Sequence, residues 1–541
     1  MAFLGQEQPV VSAPALNVRL MCRVCNLLLT VWNLWIGRGT INILPDDVLL
    51  HVFFIDGQED NYMPDMYFPE QYELEDYDRV RRLPWRWHRL VHVCRRWRSI
   101  VFASPISLDL RLVYGLWTRV ELTGIWPPLP IIITNRFDRF IDNYADESTT
   151  GGPRSWPVLP EDFDFDAAIV HPNRVREIRL FYLSRSIFQR LVSATQMQEP
   201  FPALTHLVLH FYDSDVHPSP TLPDGFLGGS APLLQSLALT SIPFPALPKL
   251  LLSATHLVRL ILYDIPHSGY FSPEAIVTGL AGMPNLESLF IQFSSPLSRP
   301  HRDSRRPPPP IRIVLPALTH FNFKGVSEYL EDFVVRIDAP LLGTIYIIFF
   351  HQLIYDIPRL AQFMGRTTRF QEVKEAHVQF IDYNVHVNST LSSIYTSERK
   401  SGLEISCRTM DWQLSSVAQV FTSFFPSIYM VDRLYIYDPT YNRPRGYKPN
   451  DIDDILWLEI FHPFTGVNNL YITNGYASSI ACALQELVGG RTMEVLPNLQ
   501  SIFLAVLKPS EPIPEGIQNF VAARQLSGHP ITVSIWEQRR Y

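Results

Sequence analysis

A pattern of three apolar positions, apolar-x-x-apolar-x-apolar, recurs along most of this chain. It first runs through Val175, Ile178 and Leu180, then Leu204, Leu207 and Leu209, then Leu234, Leu237 and Leu239. Leu257, Leu260 and Leu262 follow, then Leu286, Leu289 and Ile291, Leu318, Phe321 and Phe323, and Leu342, Ile345 and Ile347. These starts lie 29, 30, 23, 29, 32 and 24 residues apart. After an interval of 89 residues the unit returns at Val431, Leu434 and Ile436, at Val467, Leu470 and Ile472, and at Leu499, Ile502 and Leu504. The last two apolar positions of each unit alternate with other residues, which predicts a strand buried on one side. The interval has room for about two more units at a period of 20–30 residues, with Val373, Ala376 and Val378 as one candidate. Pro273 to Ala281 and Ala477 to Val488 have helical spacing. Units of this kind bury their apolar side only by stacking on their neighbours.

A different period governs the stretch from Ile43 to Leu112. Pro45 suits a first helical turn, where its missing N–H costs nothing, and Asp46 and Asp47 sit at the positive end of the helix dipole. Val48, Leu49, Val52 and Phe53 follow at helical spacing. Leu90, Val93, Cys94, Trp97 and Ile100 repeat it, with Arg95, Arg96 and Arg98 left for solvent. Between the two, Asp56 to Asp78 holds nine carboxylates and no Lys or Arg, interleaved with Tyr62, Tyr67, Tyr72 and Tyr77. That composition predicts a solvated insertion.

Leu44-Pro45-Asp46-Asp47-Val48-Leu49-Leu50-His51-Val52-Phe53 and Leu90-Val91-His92-Val93-Cys94-Arg95-Arg96-Trp97-Arg98 together resemble an F-box. The likeness is greatest to F-box proteins of mushroom-forming fungi, through Trp87 to Arg98 and Ser104-Pro105-Ile106-Ser107-Leu108-Asp109-Leu110-Arg111-Leu112. One departure is that Phe53 and Val93 are 40 positions apart, farther than in a compact F-box. The strand unit resembles that of a leucine-rich repeat. The resemblance implies an α/β chain in which a helical F-box precedes an irregular leucine-rich-repeat-like solenoid. On that plan residues 1–40 are an apolar N-terminal segment, 41–112 the F-box with its acidic insertion, 113–174 a junction and 175–541 the solenoid. It implies a non-catalytic specificity subunit of a ubiquitin ligase, cytoplasmic or nuclear and acting in protein degradation. A Skp-family adaptor, and through it a cullin–RING ligase, would be held by Leu44, Pro45, Val48, Leu49, Val52, Phe53, Leu90, Val93, Cys94 and Trp97. A scaffold whose F-box no longer engages a ligase is the alternative, and an enzyme of unrecognised family a second one.

If the apolar triads face inward, the alternating strand positions face the other way. They include Tyr263, Phe290, Tyr346, Tyr435, Tyr437, Tyr471 and Phe503, with His210, Arg259, Lys324 and Arg433 among them. Aromatic and arginine side chains are enriched at interaction hot spots, so the seven aromatics are the candidate contacts to a protein substrate.

Composition narrows these readings. Of 541 residues, 47% are hydrophobic and 12% aromatic, which describes a core-bearing chain, and 45 prolines predict many short elements. A net charge of −7 argues against broad nucleic-acid binding. Five scattered cysteines (Cys22, Cys25, Cys94, Cys407 and Cys482) suggest a reducing compartment. The apolar run from Leu27 to Ile36 is too short for a membrane span. Ser298 to Arg312, with Pro307 to Pro310, predicts an extended spacer. No phosphate loop, dinucleotide fingerprint, nucleophile elbow or zinc-protease helix is present, so no catalytic residue and no cofactor is expected. Cys22 and Cys25, His88 with His92, and His206 with His210 lack the further ligands of a metal site.

Overall fold

The computed structural model describes residues 44–58, 90–104, 112–114, 129–134, 169, 171–196, 200–211, 221–244, 249–300, 312–367, 370, 373–381, 384–388, 402–406, 410–424, 428–437, 454–505 and 512–536. The segment 1–40, most of the acidic insertion, the run 301–311, Trp87, His88, Cys22, Cys25 and Cys407 lie outside them. The chain divides into two units, 1–111 and 112–541.

In the first unit, helix α1 (Asp46–Gln58) carries two carboxylates in its first turn and α2 (Arg95–Ala103) runs beside it. The apolar spacing predicts one helix through 90–100, but the chain turns at His92 and Val93. Cys94 is extended (φ −159°) and caps α2, its Sγ accepting the Trp97 N–H at 3.4 Å. An N-cap preserves the three-and-four spacing while breaking the helix, which is why the periodicity hid it. Arg96 and Arg98 are not simply solvated either. Arg96 Nε donates to Asp46 Oδ1 at 2.8 Å and its Nη2 to the Leu44 carbonyl, and Arg98 Nε donates to the Val91 carbonyl at 2.9 Å.

The second unit is mixed α/β, built on a large and mostly parallel sheet. Its strands begin with β1 (Leu112–Tyr114), β2 (Ile131–Thr134), β3 (Val175–Leu183), β4 (His206–Phe211), β5 (Ser236–Thr240) and β6 (Arg259–Ile265). Then come β7 (Ser288–Phe293), β8 (Ile313–Val314), β9 (His320–Gly325), β10 (Ile337–Asp338), β11 (Thr344–Phe350) and β12 (Glu375–Ile381). The last are β13 (Asn384–Asn388), β14 (Gly402–Ser406), β15 (Arg433–Tyr437), β16 (Asn469–Thr473), β17 (Ser501–Ala505) and β18 (Thr532–Ile535). Sixteen of the described strands form one sheet, in the order β1-β2-β3-β4-β5-β6-β7-β9-β11-β14-β13-β12-β15-β16-β17-β18, while β8 pairs with β10. The sheet thus starts at Leu112 and not at 175: the stretch read as a junction supplies two strands, one of them the wholly apolar Ile131-Ile132-Ile133.

Connecting helices are α3 (Arg185–Gln196), α4 (Lys249–Ser253), α5 (Pro273–Leu280), α6 (Ser327–Val334) and α7 (Pro358–Arg366). They continue as α8 (Met410–Phe424), α9 (Asp454–Phe461), α10 (Asn474–Gln485) and α11 (Glu515–Leu526), and from α5 onward each lies against the next. Neighbours also cap one another. Glu331 on α6 accepts the first free N–H groups of α7, from Arg359 at 3.0 Å and Leu360 at 2.7 Å. Pro358, lacking an N–H, opens that helix.

Register explains the core. Leu180, Leu209, Leu239, Leu262, Ile291, Phe323 and Ile347 stand side by side on successive strands. The line continues through Leu403, Val387, Val378, Ile436, Ile472, Leu504 and Ile535. All but Ile535 are buried. The interval expected to hold two more units holds three strands. β12 carries Ala376 and Val378 in register, and the chain then doubles back through antiparallel β13 before β14 returns beside β11. The final strand, β18, lies past the last repeat recognised in the sequence.

Near the C-terminal end of this sheet Arg524 is fully buried on α11. Its guanidinium donates to the carbonyls of Thr492 (3.2 Å), Pro497 (2.9 Å) and Leu499 (3.3 Å), tying down the loop before β17. Arg524→Ala orphans these acceptors. It is expected to destabilise the protein by about 3 kcal/mol in urea denaturation, with Arg524→Lys recovering little, because one ammonium cannot span the fork. A loss below about 1 kcal/mol for the alanine variant contradicts this role.

Candidate functional site

Because the apolar line faces one way, the alternating positions of each strand form the opposite, open face of the sheet. All seven aromatics singled out from the sequence are half-buried there. They are not one cluster. Tyr263 on β6 and Phe290 on β7 belong to the first half of the sheet, Tyr346 to β11, and Tyr435, Tyr437, Tyr471 and Phe503 to the second half.

In that second half a ladder of stacked rings forms. His377 lies beside Tyr435, Tyr435 beside Tyr471 and Tyr471 beside Phe503 in the strand register. Ring centroids are 4.3, 4.3 and 4.5 Å apart, with interplanar angles of 8°, 13° and 8°. Strands about 4.8 Å apart hold identical side-chain directions at stacking distance, so parallel pairing builds the ladder directly. Trp536, just after β18, closes over it. Its indole meets the Tyr471 ring at 5.3 Å and 75° and the Tyr435 ring at 6.2 Å and 62°. Neither His377 nor Trp536 was singled out from the sequence. The only signals were alternation, through Ala376-His377-Val378-Gln379 and Thr532-Val533-Ser534-Ile535-Trp536.

Polar groups line the ladder's margins. Arg433 Nη1 meets Glu375 Oε1 at 2.7 Å, and His377 Nε2 lies 3.5 Å from Glu375 Oε2. On the next row Tyr437 donates its hydroxyl to Gln379 Oε1 at 3.3 Å. Where the antiparallel strand interrupts the sheet, the Tyr346 hydroxyl donates to Glu404 Oε2 at 2.7 Å, and His386 Nε2 stands 3.8 Å from the same oxygen. Gly402 makes that possible: a Cβ there would stand 3.2 Å from the Tyr346 ring and overlap Asn388 Oδ1. Burial holds His386 below the ordinary histidine range, against the pull of Glu404. In the first half the face is more polar, with Arg179 on Glu177 at 2.9 Å and the Gln292 amide donating to Asn322 at 2.6 Å. Lys324 lies 5.7 Å above the Phe350 ring.

The ten F-box residues separate into three groups. Leu49 and Phe53 are buried, and the Phe53 ring rests on Trp97 at 4.7 Å. Leu44, Leu90, Cys94 and Trp97 are half-buried. Pro45, Val48, Val52 and Val93 are exposed, the three valines by 38%, 43% and 55%. Leu49 and Phe53, both read from the sequence as adaptor contacts, are thus covered within the first unit, Phe53 by Trp97. Helical spacing marks an apolar stripe but not which edge of it is covered internally.

Among the described residues no group of three or more metal-ligating side chains comes together, and no helix is long and apolar enough to cross a membrane. No family model and no curated protein matches the chain.

Tyrosine ionisation reports on the ladder. Burial, and after it Glu375 and Tyr471, push Tyr435 up to about 12, and burial pushes Tyr437 to about 12. The folded state keeps protons that the unfolded chain releases near the ordinary tyrosine value. The stabilisation is complete below about pH 10 and is lost as pH rises towards the folded value. The urea midpoint is expected to fall from about pH 9 to about pH 11, and less steeply in Tyr435→Phe/Tyr437→Phe. Equal slopes contradict this burial.

Proposed function

We propose that this chain is the substrate-recognition subunit of a Skp–cullin–F-box ubiquitin ligase. Support comes first from the two segments that resemble an F-box and from the helix pair they form. The observation that carries it is the exposed apolar set Pro45, Val48, Val52 and Val93 on helices clamped by Phe53–Trp97 and Arg96–Asp46. Three valines exposed by 38–55% on one small helix pair suit docking on an adaptor. The sheet, read as an irregular leucine-rich-repeat-like solenoid, would hold a protein substrate on its open face through the ring ladder. The covalent step then belongs to the conjugating enzyme that the ligase recruits, and this chain contributes position. The 40-position separation of Phe53 and Val93 favours a second reading, a scaffold that keeps the repeat face and has lost the adaptor.

Co-expression with a Skp adaptor, followed by size-exclusion chromatography, separates the two. The ligase reading expects co-elution at one-to-one stoichiometry. It also expects Val48→Asp/Val52→Asp to weaken binding about a hundredfold or more while the circular dichroism of the chain is unchanged. Leu49 is unsuited to this test because its substitution strikes the interior of the helix pair. Separate elution of two folded wild-type proteins sinks the ligase reading and leaves the scaffold.

A further inference from the structure

We infer that Trp536 sits in a binding trough on the open face, and that the trough accepts a planar aromatic side chain of a protein partner, with the indole as its resident occupant. This rests on the proposal that the open face takes a protein substrate, and it names the group recognised.

The seat is built by the ladder. Its inner rings, Tyr435 and Tyr471, are stacked on both faces and present their edges to the open side. A sugar or nucleobase needs a free ring face. An edge accepts another ring set at a steep angle, as the indole is on Tyr471. The row alongside carries Thr473 and Ala505 side by side.

The occupant is loosely held. The Trp536 indole N–H is buried without an acceptor among the described residues, a state it shares with Trp97 and Trp457. Its strand, β18, has four residues and, among the described strands, stands at the end of the sheet with a partner on one side. Thr532, Ser534 and Ile535 are exposed, Ile535 by 60%. Past β18 the Trp536 N–H donates to the Leu504 carbonyl at 3.1 Å. Short edge elements of this kind open at low cost. A partner's aromatic residue that displaces the indole gains the same edge contacts, and one that also brings an acceptor satisfies the seat better.

The test uses the full chain and N-acetyl-tryptophanamide as probe, followed by calorimetry or ligand-observed NMR. Removing the resident ring frees the site, so Trp536→Ala is expected to bind the probe about tenfold or more tightly than wild type. Adding Tyr471→Ala is expected to abolish the gain. The Trp536→Ala chain should unfold cooperatively within a few degrees of wild type. Equal probe affinity in wild type and variant overturns the proposal. So does loss of cooperative unfolding, which makes the indole a structural cap, and so does an equal gain for methyl glucoside. The probe needs no adaptor, so failed adaptor co-elution leaves this test standing, and absent probe binding leaves the adaptor reading standing.

Discussion

Side-by-side burial of one apolar residue per strand, from Leu180 on β3 to Leu504 on β17, is the interaction on which the sheet depends. Each such side chain contributes about 1.5–3 kcal/mol when removed from water. A slip of one residue in any pairing would turn that strand's apolar set to the open face, so burial also fixes the register. Even the reversed strand β13 obeys it. Alternation has no direction, so Val385 and Val387 face inward with the chain running backwards, and Asn384, His386 and Asn388 face out.

The open face inherits its order from that line. Once Val378, Ile436, Ile472 and Leu504 are fixed inward, His377, Tyr435, Tyr471 and Phe503 are fixed outward one strand apart, at stacking distance. The doubling back of β13 makes room for this: it carries β12, and with it His377, away from β11 and places it against β15. The rings are therefore placed by the core, and their stacking on one another adds to that placement. In the first unit the same division of labour holds on a smaller scale. Phe53, Trp97 and Arg96 join two helices, and Val48, Val52 and Val93 stay exposed.

Most of the parallel sheet was legible as triads such as Leu207 with Leu209, because a half-buried strand must alternate. The candidate at Ala376 and Val378 was legible for the same reason. The direction of β13 was not, since alternation is the same read either way. Cys94 was read as a helix position because a cap leaves the three-and-four spacing intact. Ile131 to Thr134 stayed inside the junction because it lacks an alternation to tie it to the repeat. β18 went unrecognised because its inward Ile535 stays exposed at the sheet's edge, and Trp536 with it. The seven aromatics were found by position, but which of them stack depends on which strands are adjacent, and adjacency across the reversed segment is a property of the fold.

Hydrogen exchange followed by mass spectrometry tests most directly whether one continuous apolar line runs through the reversed strand. If Val387 bridges Leu403 and Val378 as described, amides of Asn384–Asn388 exchange as slowly as those of β9 and β15, by the same global opening. Exchange of that segment at the rate of an unstructured peptide, with β9 and β15 still protected, would break the line and with it the placement of the ring ladder.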